Sequence, residues 1–518
     1  MTPETTPIIR REILGLMKRV AEAGQREAVC GRLGAGMTLA NHKTKIVATI
    51  GPASESPPML ERLVRAGLNI ARLNFSHGDF AGHAERIARI RAAEKATGLR
   101  VVIMADLPGP KMRVGKIEPE PIQLLPGENF TLTSEDIVGN RQRVSMSFDR
   151  LPKVVKPGDR LFLNDGLVQL VVERVAGNDV QCSVAVGGEL RSKKGLNLSG
   201  IDLGISAFTD HDRACLEFAL ENGVDAVSQS FVETAADIEA VRAAANAIGK
   251  QPFIIAKIER SDALKHLDEI LKASDGIMVA RGDLAVEVPV ERMAVIQKQL
   301  ISQAKGVGKP VITATQMLES MTTNRLPTRA ESTDVANAIL DGSDCIMLSG
   351  ESAMGKYPEE AVAMLAKIAA YTEAHRPPTR LNHLNATSSQ QQPATAAEAI
   401  AWVAERALAT VPFAGVFVPT RTGTTARMIS RLTPAVWIVA LSRDAAVCQG
   451  LAFSYGVHPI QLAQEPENWR DFARQWLREH QVPDALAMLV AGPSTRNPDA
   501  NYRLEFLRIG EHQAPADS

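Results

Sequence analysis

The sequence predicts an α/β chain: a closed (β/α)8 TIM barrel, a small β-barrel lid domain inserted into it, and an open α/β domain at the C-terminus. Three observations predict it. Short apolar runs alternate with longer amphipathic segments between about residues 43 and 374, one interval in that rhythm is far too long, and all four tryptophans (Trp402, Trp437, Trp469, Trp476) fall beyond residue 395.

The apolar runs are Lys45 to Ile50, Asn69 to Leu73, Val101 to Ala105, Ala226 to Gln229, Phe253 to Ala256, Gly276 to Val279, Pro310 to Thr313 and Cys345 to Leu348. They lack polar alternation, as strands buried on both faces require. Helical patterns lie between them, at Pro58 to Ala66, Ala81 to Ala96, Asp212 to Asn222, Ala235 to Ile248, Asp262 to Lys272, Glu291 to Lys305, Glu331 to Leu340 and Pro358 to Tyr371. Eight such units close a barrel.

The long interval follows the third strand. Residues 114–201 alternate apolar and polar positions (Val168/Leu170/Val172, Val180/Cys182/Val184) between turn signals such as Pro126-Gly127 and Gly187-Gly188, which predicts an all-β insertion. The barrel is therefore expected over 41–113 and 202–374. Residues 375–394, polar and proline-containing, read as a linker, and 395–518 as a separate α/β domain with strands near 415–418, 435–441, 457–462, 487–490 and 504–509. Residues 1–40 form an extension, helical from Ile8 to Ala23.

Charge excludes some function classes. Fifty-eight Lys and Arg against 59 Asp and Glu give a net charge of -1, and without a basic run nucleic-acid and anionic-membrane partners are not expected. No stretch has the length of a transmembrane helix and the start carries no signal-type core, so a cytoplasmic location is expected. Five scattered cysteines without a C-x-x-C pair read as reduced thiols.

Chemistry-bearing residues stand where strands should end, as a barrel with one working face requires. Arg72, Asn74, Ser76 and His77 follow strand two, Asp106 ends strand three and Ser230 follows strand four. Lys257 and Glu259 follow strand five, Arg281 and Asp283 strand six, Thr315 and Gln316 strand seven, Ser349 and Glu351 strand eight. Lys257 and Glu259, two apart, leave a strand on the same side. That alone fits a strand-capping ion pair as well as catalysis. Asp283 adds a second carboxylate after Gly282, and two convergent carboxylates suit Mg²⁺, whose other positions go to water and substrate phosphate. Arg72, Arg113 and Lys257 supply the fixed positive charge that phosphoryl transfer needs. No Walker A loop is present. In the last domain, Thr420, Thr422, Gly423, Thr424 and Thr425 join a strand to a helix and offer either an anion cradle or an ordinary helix cap.

With these residues placed, the sequence resembles the pyruvate kinase family from about Thr44 to Gly510. The resemblance is carried by Thr44-Lys45-Ile46-Val47-Ala48-Thr49-Ile50-Gly51-Pro52-Ala53-Ser54, Ala71-Arg72-Leu73-Asn74-Phe75-Ser76-His77-Gly78, Ser192-Lys193-Lys194-Gly195 and Ala314-Thr315-Gln316-Met317-Leu318-Glu319-Ser320-Met321. Pro327-Thr328-Arg329-Ala330-Glu331 and Ile346-Met347-Leu348-Ser349-Gly350-Glu351 complete it. It implies transfer of the phosphoryl group of phosphoenolpyruvate to ADP, giving pyruvate and ATP in the last step of glycolysis. Implied roles are Lys257 against the phosphoryl in flight, Glu259 and Asp283 on Mg²⁺, and Arg72 on the substrate phosphate. Gly282 and its neighbouring N–H groups would receive the carboxylate, with Thr315 and Ser349 near the proton source. Asn74, Ser76, His77, Arg113 and Lys194 match nucleotide-contacting positions, and the Thr420–Thr425 loop resembles a sugar-phosphate effector loop. A homotetramer is implied in the same way.

One departure bears on cofactors. Many members read Asp-Thr-Lys-Gly-Pro-Glu at the end of strand three and need K⁺; here the chain reads Asp106-Leu107-Pro108-Gly109-Pro110-Lys111. The Lys111 ammonium is expected to replace K⁺, and Leu107 to remove a hydroxyl ligand for it. Two rival functions stay open on sequence: a Mg²⁺-dependent barrel lyase acting on pyruvate or phosphoenolpyruvate, and a catalytically silent homologue that binds phosphometabolites.

Overall fold

The computed structural model describes residues 39–164, 166–201, 203–376, 395–482, 486–492 and 501–509. The helix expected at Ile8 to Ala23 and nearly all of the expected linker lie outside them. Eight parallel strands close a barrel: Lys45–Thr49, Leu68–Asn74, Val102–Leu107, Ala226–Gln229, Phe253–Ile258, Gly276–Ala280, Val311–Ala314 and Cys345–Leu348. Alternation sorts each strand into two layers. Ile46, Ala48, Ile103 and Ala105 face outward beneath the helices, while Val47, Ile70, Met104, Ile255 and Met278 fill the interior.

The surrounding helices start on local signals. Thr209, Thr234 and Thr328 each form a capping box with the acid three residues on: Asp212, Asp237 and Glu331. The single helix expected at Asp262 to Lys272 is instead a 3-10 turn, Asp262–Leu264, followed by a helix over Leu267–Ala273. Lys265 donates to Asp262 at 2.6 Å, a spacing of three that matches the 3-10 period.

Between strands three and four the chain builds a second core around Phe130, Leu132, Leu161, Leu170 and Val180. Its strands form a six-stranded sheet and a separate two-stranded one, Ile122–Leu124 with Gly188–Leu190, rather than one continuous ring. Gly187 hands the chain between them; a Cβ there would lie 2.4 Å from the Leu124 carbonyl. A helical turn at Leu151–Val154 interrupts the otherwise all-β insertion. The insertion is fastened to the barrel by Arg260, whose Nη2 donates to Ile201 O (2.9 Å), and by Ser199, which donates to Glu287 O (2.9 Å).

The last domain holds a five-stranded sheet in the order Val457–Gln461, Trp437–Ser442, Phe413–Pro419, Leu486–Ala491, Arg503–Arg508, parallel except for the final strand. It docks on the closed end of the barrel. Its Ala452 and Phe453 join the barrel's interior cluster, and Phe453 stacks on Phe253 with centroids 5.0 Å apart. Among the described residues no helix is long and apolar enough to cross a membrane.

Candidate active site

The open end of the barrel carries a buried charge network, built because strands one, three, four and five aim Thr49, Asp106, Ser228 and Lys257 inward at the same height. The Lys257 ammonium lies 2.9 Å from Glu259 and 3.3 Å from Asp106, and donates to Ser230 Oγ at 2.7 Å. Arg72 reaches Asp106 through Nε (3.1 Å) and Nη2, and Thr49 Oγ1 through Nη1 (2.8 Å). Each bonded group is used once, so the second hydrogens of Nη1 and Nη2 remain for a ligand. Ser228 donates to Asp106 at 2.6 Å.

Protonation states follow from these contacts. Burial by itself would raise the Asp106 carboxyl, but Arg72, Lys257 and the Ser228 hydroxyl together hold it at about 2. Burial by itself would lower Lys257, yet Asp106 and Glu259 outweigh it, so the ammonium is held charged more firmly than a free lysine. Glu259 is pushed up by burial and by the neighbouring Asp283 charge, against the pull of Lys257. Glu259 and Asp283 are thus near enough for their charges to interact. Among the described residues no three His, Cys, Asp or Glu side chains form a metal cage; two carboxylates would leave most positions of a Mg²⁺ ion to water and substrate.

A cavity of about 220 Å³ opens beside the network. It is lined by Asp283 and Phe231 from the barrel, by His77, Lys111 and Arg113, and by Lys194 from the insertion. Burial, then Arg113, Lys111 and Arg72, push the His77 imidazole down, so it contributes as a neutral ring within a positive field. Arg113 donates to Lys193 O at 2.9 Å, which joins the two walls. Asn74 turns back to accept from Ser76 N (3.1 Å) and shapes its own loop. Asn74 and Ser76 are not among the residues lining this cavity.

The loops after strands six to eight are held by side chains that the sequence reading placed at the mouth without assigning them this positioning part. Gly282 N–H, in a short helix opened by Arg281, donates to Thr315 Oγ1 at 2.8 Å. Arg281 turns from the mouth, pairs with Asp334 (2.6 Å) and donates to Thr315 O (2.7 Å). It clamps a loop in which Thr315 and Gln316 have φ of +71° and +53°, a conformation that β-branched residues adopt only when their surroundings over-determine it. Phe231, φ +57°, is held likewise by its N–H to Glu259 (2.8 Å). Glu351 is fully buried and accepts from Ser349 N (2.7 Å) and Leu318 N (3.1 Å), so it positions both loops.

Leu107 corrects one expectation. Its side chain belongs to the outer layer with Ile103 and Ala105, and only its carbonyl, accepting from Ser230 Oγ at 2.7 Å, faces the site. A hydroxyl at that position would not reach a cation at the mouth, because alternation turns residue 107 away when Asp106 points in. In the effector-like loop three hydroxyls have partners within the loop: Thr420 accepts from Gly423 N (2.9 Å), and Thr422 and Thr424 are 2.9 Å apart.

A barrel whose mouth unites a charged lysine, two neighbouring carboxylates and a cation-lined cavity beside an inserted domain has the features of a phosphotransferase of the TIM-barrel class. Comparison with known proteins makes it specific. Residues 41–362 match the model of the pyruvate kinase barrel domain, and residues 398–499 that of the pyruvate kinase alpha/beta domain. The chain is 49% identical to a pyruvate kinase of Thermococcus litoralis, over 82% of this chain and 90% of the other. It is 41% identical to human pyruvate kinase PKLR over 84% and 78%. A crystal structure of a pyruvate kinase from Cryptosporidium parvum superposes with a TM-score of 0.84 at 36% identity, covering 91% of this chain and 97% of that one. The chain belongs to the pyruvate kinase family.

Proposed function

We propose that the barrel mouth transfers the phosphoryl group of phosphoenolpyruvate to ADP, with Lys257 as the fixed charge beside the transferring group. The supporting observation is the Lys257 ammonium, buried yet held protonated by Asp106 and Glu259 at the edge of a cavity lined by Asp283, Arg113 and Lys194. Glu259 and Asp283 would hold Mg²⁺, which when bound supplies positive charge to phosphate and enolate oxygens. Arg72 offers its two remaining N–H groups to the substrate phosphate. Gly282, once its N–H is released from Thr315 Oγ1, and the helix start beside it would receive the carboxylate, and Thr315 and Ser349 would flank the face from which the enolate takes its proton. His77, Arg113 and Lys194, with Asn74 and Ser76 shaping the adjoining loop, receive the nucleotide, and closure of the inserted domain excludes water that would otherwise hydrolyse the phosphoryl group. Pyruvate formation measured with and without ADP and Mg²⁺ tests the reading: product without ADP makes the protein a lyase, and no product at all makes it a binding homologue.

Lys111 lines the same cavity and acts on His77 as a positive charge, which supports its standing in for K⁺. Turnover in K⁺-free buffer is expected to change less than about twofold on adding K⁺, and Lys111→Glu to create a K⁺ requirement; a large activation of the unaltered enzyme refutes this. Activity in the cytoplasm, a homotetrameric assembly and a phosphorylated-sugar effector at Thr420, Thr422, Gly423, Thr424 and Thr425 complete the proposal.

A further inference from the structure

We propose that Arg260 is a positioning residue for phosphoryl transfer: it fixes the segment by which the inserted domain rejoins the barrel against the loops that carry Glu259 and Asp283, and so sets the register in which the insertion closes over the mouth. This role rests on the transfer to ADP proposed above. Arg260 follows Glu259 directly and leaves strand five on the opposite side, where it is 2% exposed and is not among the residues lining the mouth cavity.

Its contacts run to three other parts of the chain. Nη2 donates to Ile201 O at 2.9 Å and more loosely to Leu198 O at 3.4 Å, the two ends of the returning segment. Nε stands 3.1 Å from Glu233 Oε1. Glu233 is two residues beyond Phe231, whose N–H holds Glu259 at 2.8 Å, so the loop after strand four is tied to both Glu259 and Arg260. On a third side lies Glu287: burial raises its carboxyl, and the Arg260 charge draws it back. Glu287 ends the short helix that carries Asp283 in its first turn, and its carbonyl accepts from Ser199 Oγ of the returning segment at 2.9 Å.

One guanidinium thus links the insertion to the loops on which both proposed Mg²⁺ ligands stand. A planar fork presents its donors in fixed directions, which a lysine ammonium does not, and a buried carbonyl that loses its donor is costly. Within the segment Gly200 has φ +68° and Ile201 N reaches Leu198 O only at 3.4 Å, so Arg260 and Ser199 supply the anchoring from outside. Register matters chemically because an insertion seated askew admits water. The oxygen of water then takes the phosphoryl group, the bond from phosphorus to the enolate oxygen breaks, and the products are inorganic phosphate and, after protonation of the enolate, pyruvate, with ADP left unchanged.

Pyruvate, ATP and inorganic phosphate measured in parallel, from phosphoenolpyruvate with ADP and Mg²⁺, test the role in the full chain. The unaltered chain is expected to form pyruvate and ATP in equal amounts. Arg260→Gln is expected to lower kcat by about tenfold or more, to move the KM for phosphoenolpyruvate by less than about threefold, and to release about a tenth or more of the phosphoryl groups as inorganic phosphate. Arg260→Lys, which keeps the charge without the fork, should fall between the two. Glu233→Gln, at a partly exposed position, is expected to leak in the same direction by less, and stands in where Arg260→Gln does not fold. Arg143→Gln loosens an ion-pair cluster with Glu135 and Asp179 inside the insertion but leaves its seat intact, so its products should stay equal. With the unaltered chain active, equal pyruvate and ATP in Arg260→Gln, or in Glu233→Gln where the first does not fold, overturns the role alone. So does a leak of the same size in Arg143→Gln. An unaltered chain that makes no ATP overturns the reading of the mouth and this role together.

Discussion

Lys257 and Lys45 stand at opposite ends of one barrel and are almost equally hidden, 8% and 7% exposed, yet the protein treats their charges in opposite ways. Both point inward from a strand. Lys257 has two carboxylates within ion-pair reach, which outweigh its desolvation and raise its pKa. Lys45 has no carboxylate that close among the described residues. It donates to Val457 O at 2.8 Å and lies 5.1 Å from the Trp437 ring centroid, and burial brings its pKa down to about 8. Burial alone therefore does not decide how firmly a lysine holds its charge; partners do. At the mouth a cation is held fixed where the proposed phosphoryl transfer would use it, and at the base an aliphatic stem with a weakly held proton fastens the C-terminal domain to strand one.

The comparison breaks most sharply at Lys257. Lys257→Met is expected to lower kcat by roughly 10²-fold or more with little change in KM, as loss of a donor used in the transition state does; steady-state kinetics that show equal losses of affinity and rate would contradict the role. Next comes Asp106→Asn, which leaves the buried Arg72 without its carboxylate and Lys257 with Glu259 alone. A stability loss of about 3–5 kcal/mol is expected by urea denaturation at neutral pH. Because the native carboxyl sits at about 2 against an ordinary 3.8, its contribution is present above pH 3.8 and fades as pH falls towards 2, so the variant should lack that part of the acid limb. The smallest effect is at Lys45→Met. Between about 8 and the ordinary 10.5 the unfolded chain binds the extra proton, so native stability gains on the order of 1 kcal/mol per pH unit from this group. The variant should keep its turnover and show a flatter stability profile from pH 8 to 10; a collapse of activity would place Lys45 in the working machinery instead.

Much of this was legible in advance, for a stated reason. Strands such as Ala226–Gln229 and Cys345–Leu348 are continuous apolar runs because both faces are packed, so the pattern marks them to the residue. Lys257, Glu259 and Asp283 were legible because polar groups directly after such runs can only emerge at the mouth. Arg281 stood in an equivalent position and turned away to Asp334, a choice made by a helix distant in sequence. The hydroxyl that Leu107 was expected to remove from a K⁺ site would have pointed outward, because its neighbour Asp106, and not residue 107, owns the inward register. The left-handed residues Phe231, Thr315 and Gln316 carry no glycine or asparagine signature, since long-range hydrogen bonds hold them there.

By itself, the order of apolar runs and turn signals determined the barrel, the insertion and the set of side chains offered at its rim, because period and punctuation are local properties of the chain. Only the tertiary structure decided which of those side chains meet, which lysine holds its proton more tightly, and that Phe453 closes the barrel floor from another domain. Those outcomes depend on distances between residues far apart in sequence, and Coulomb and packing energies are set by distance in space.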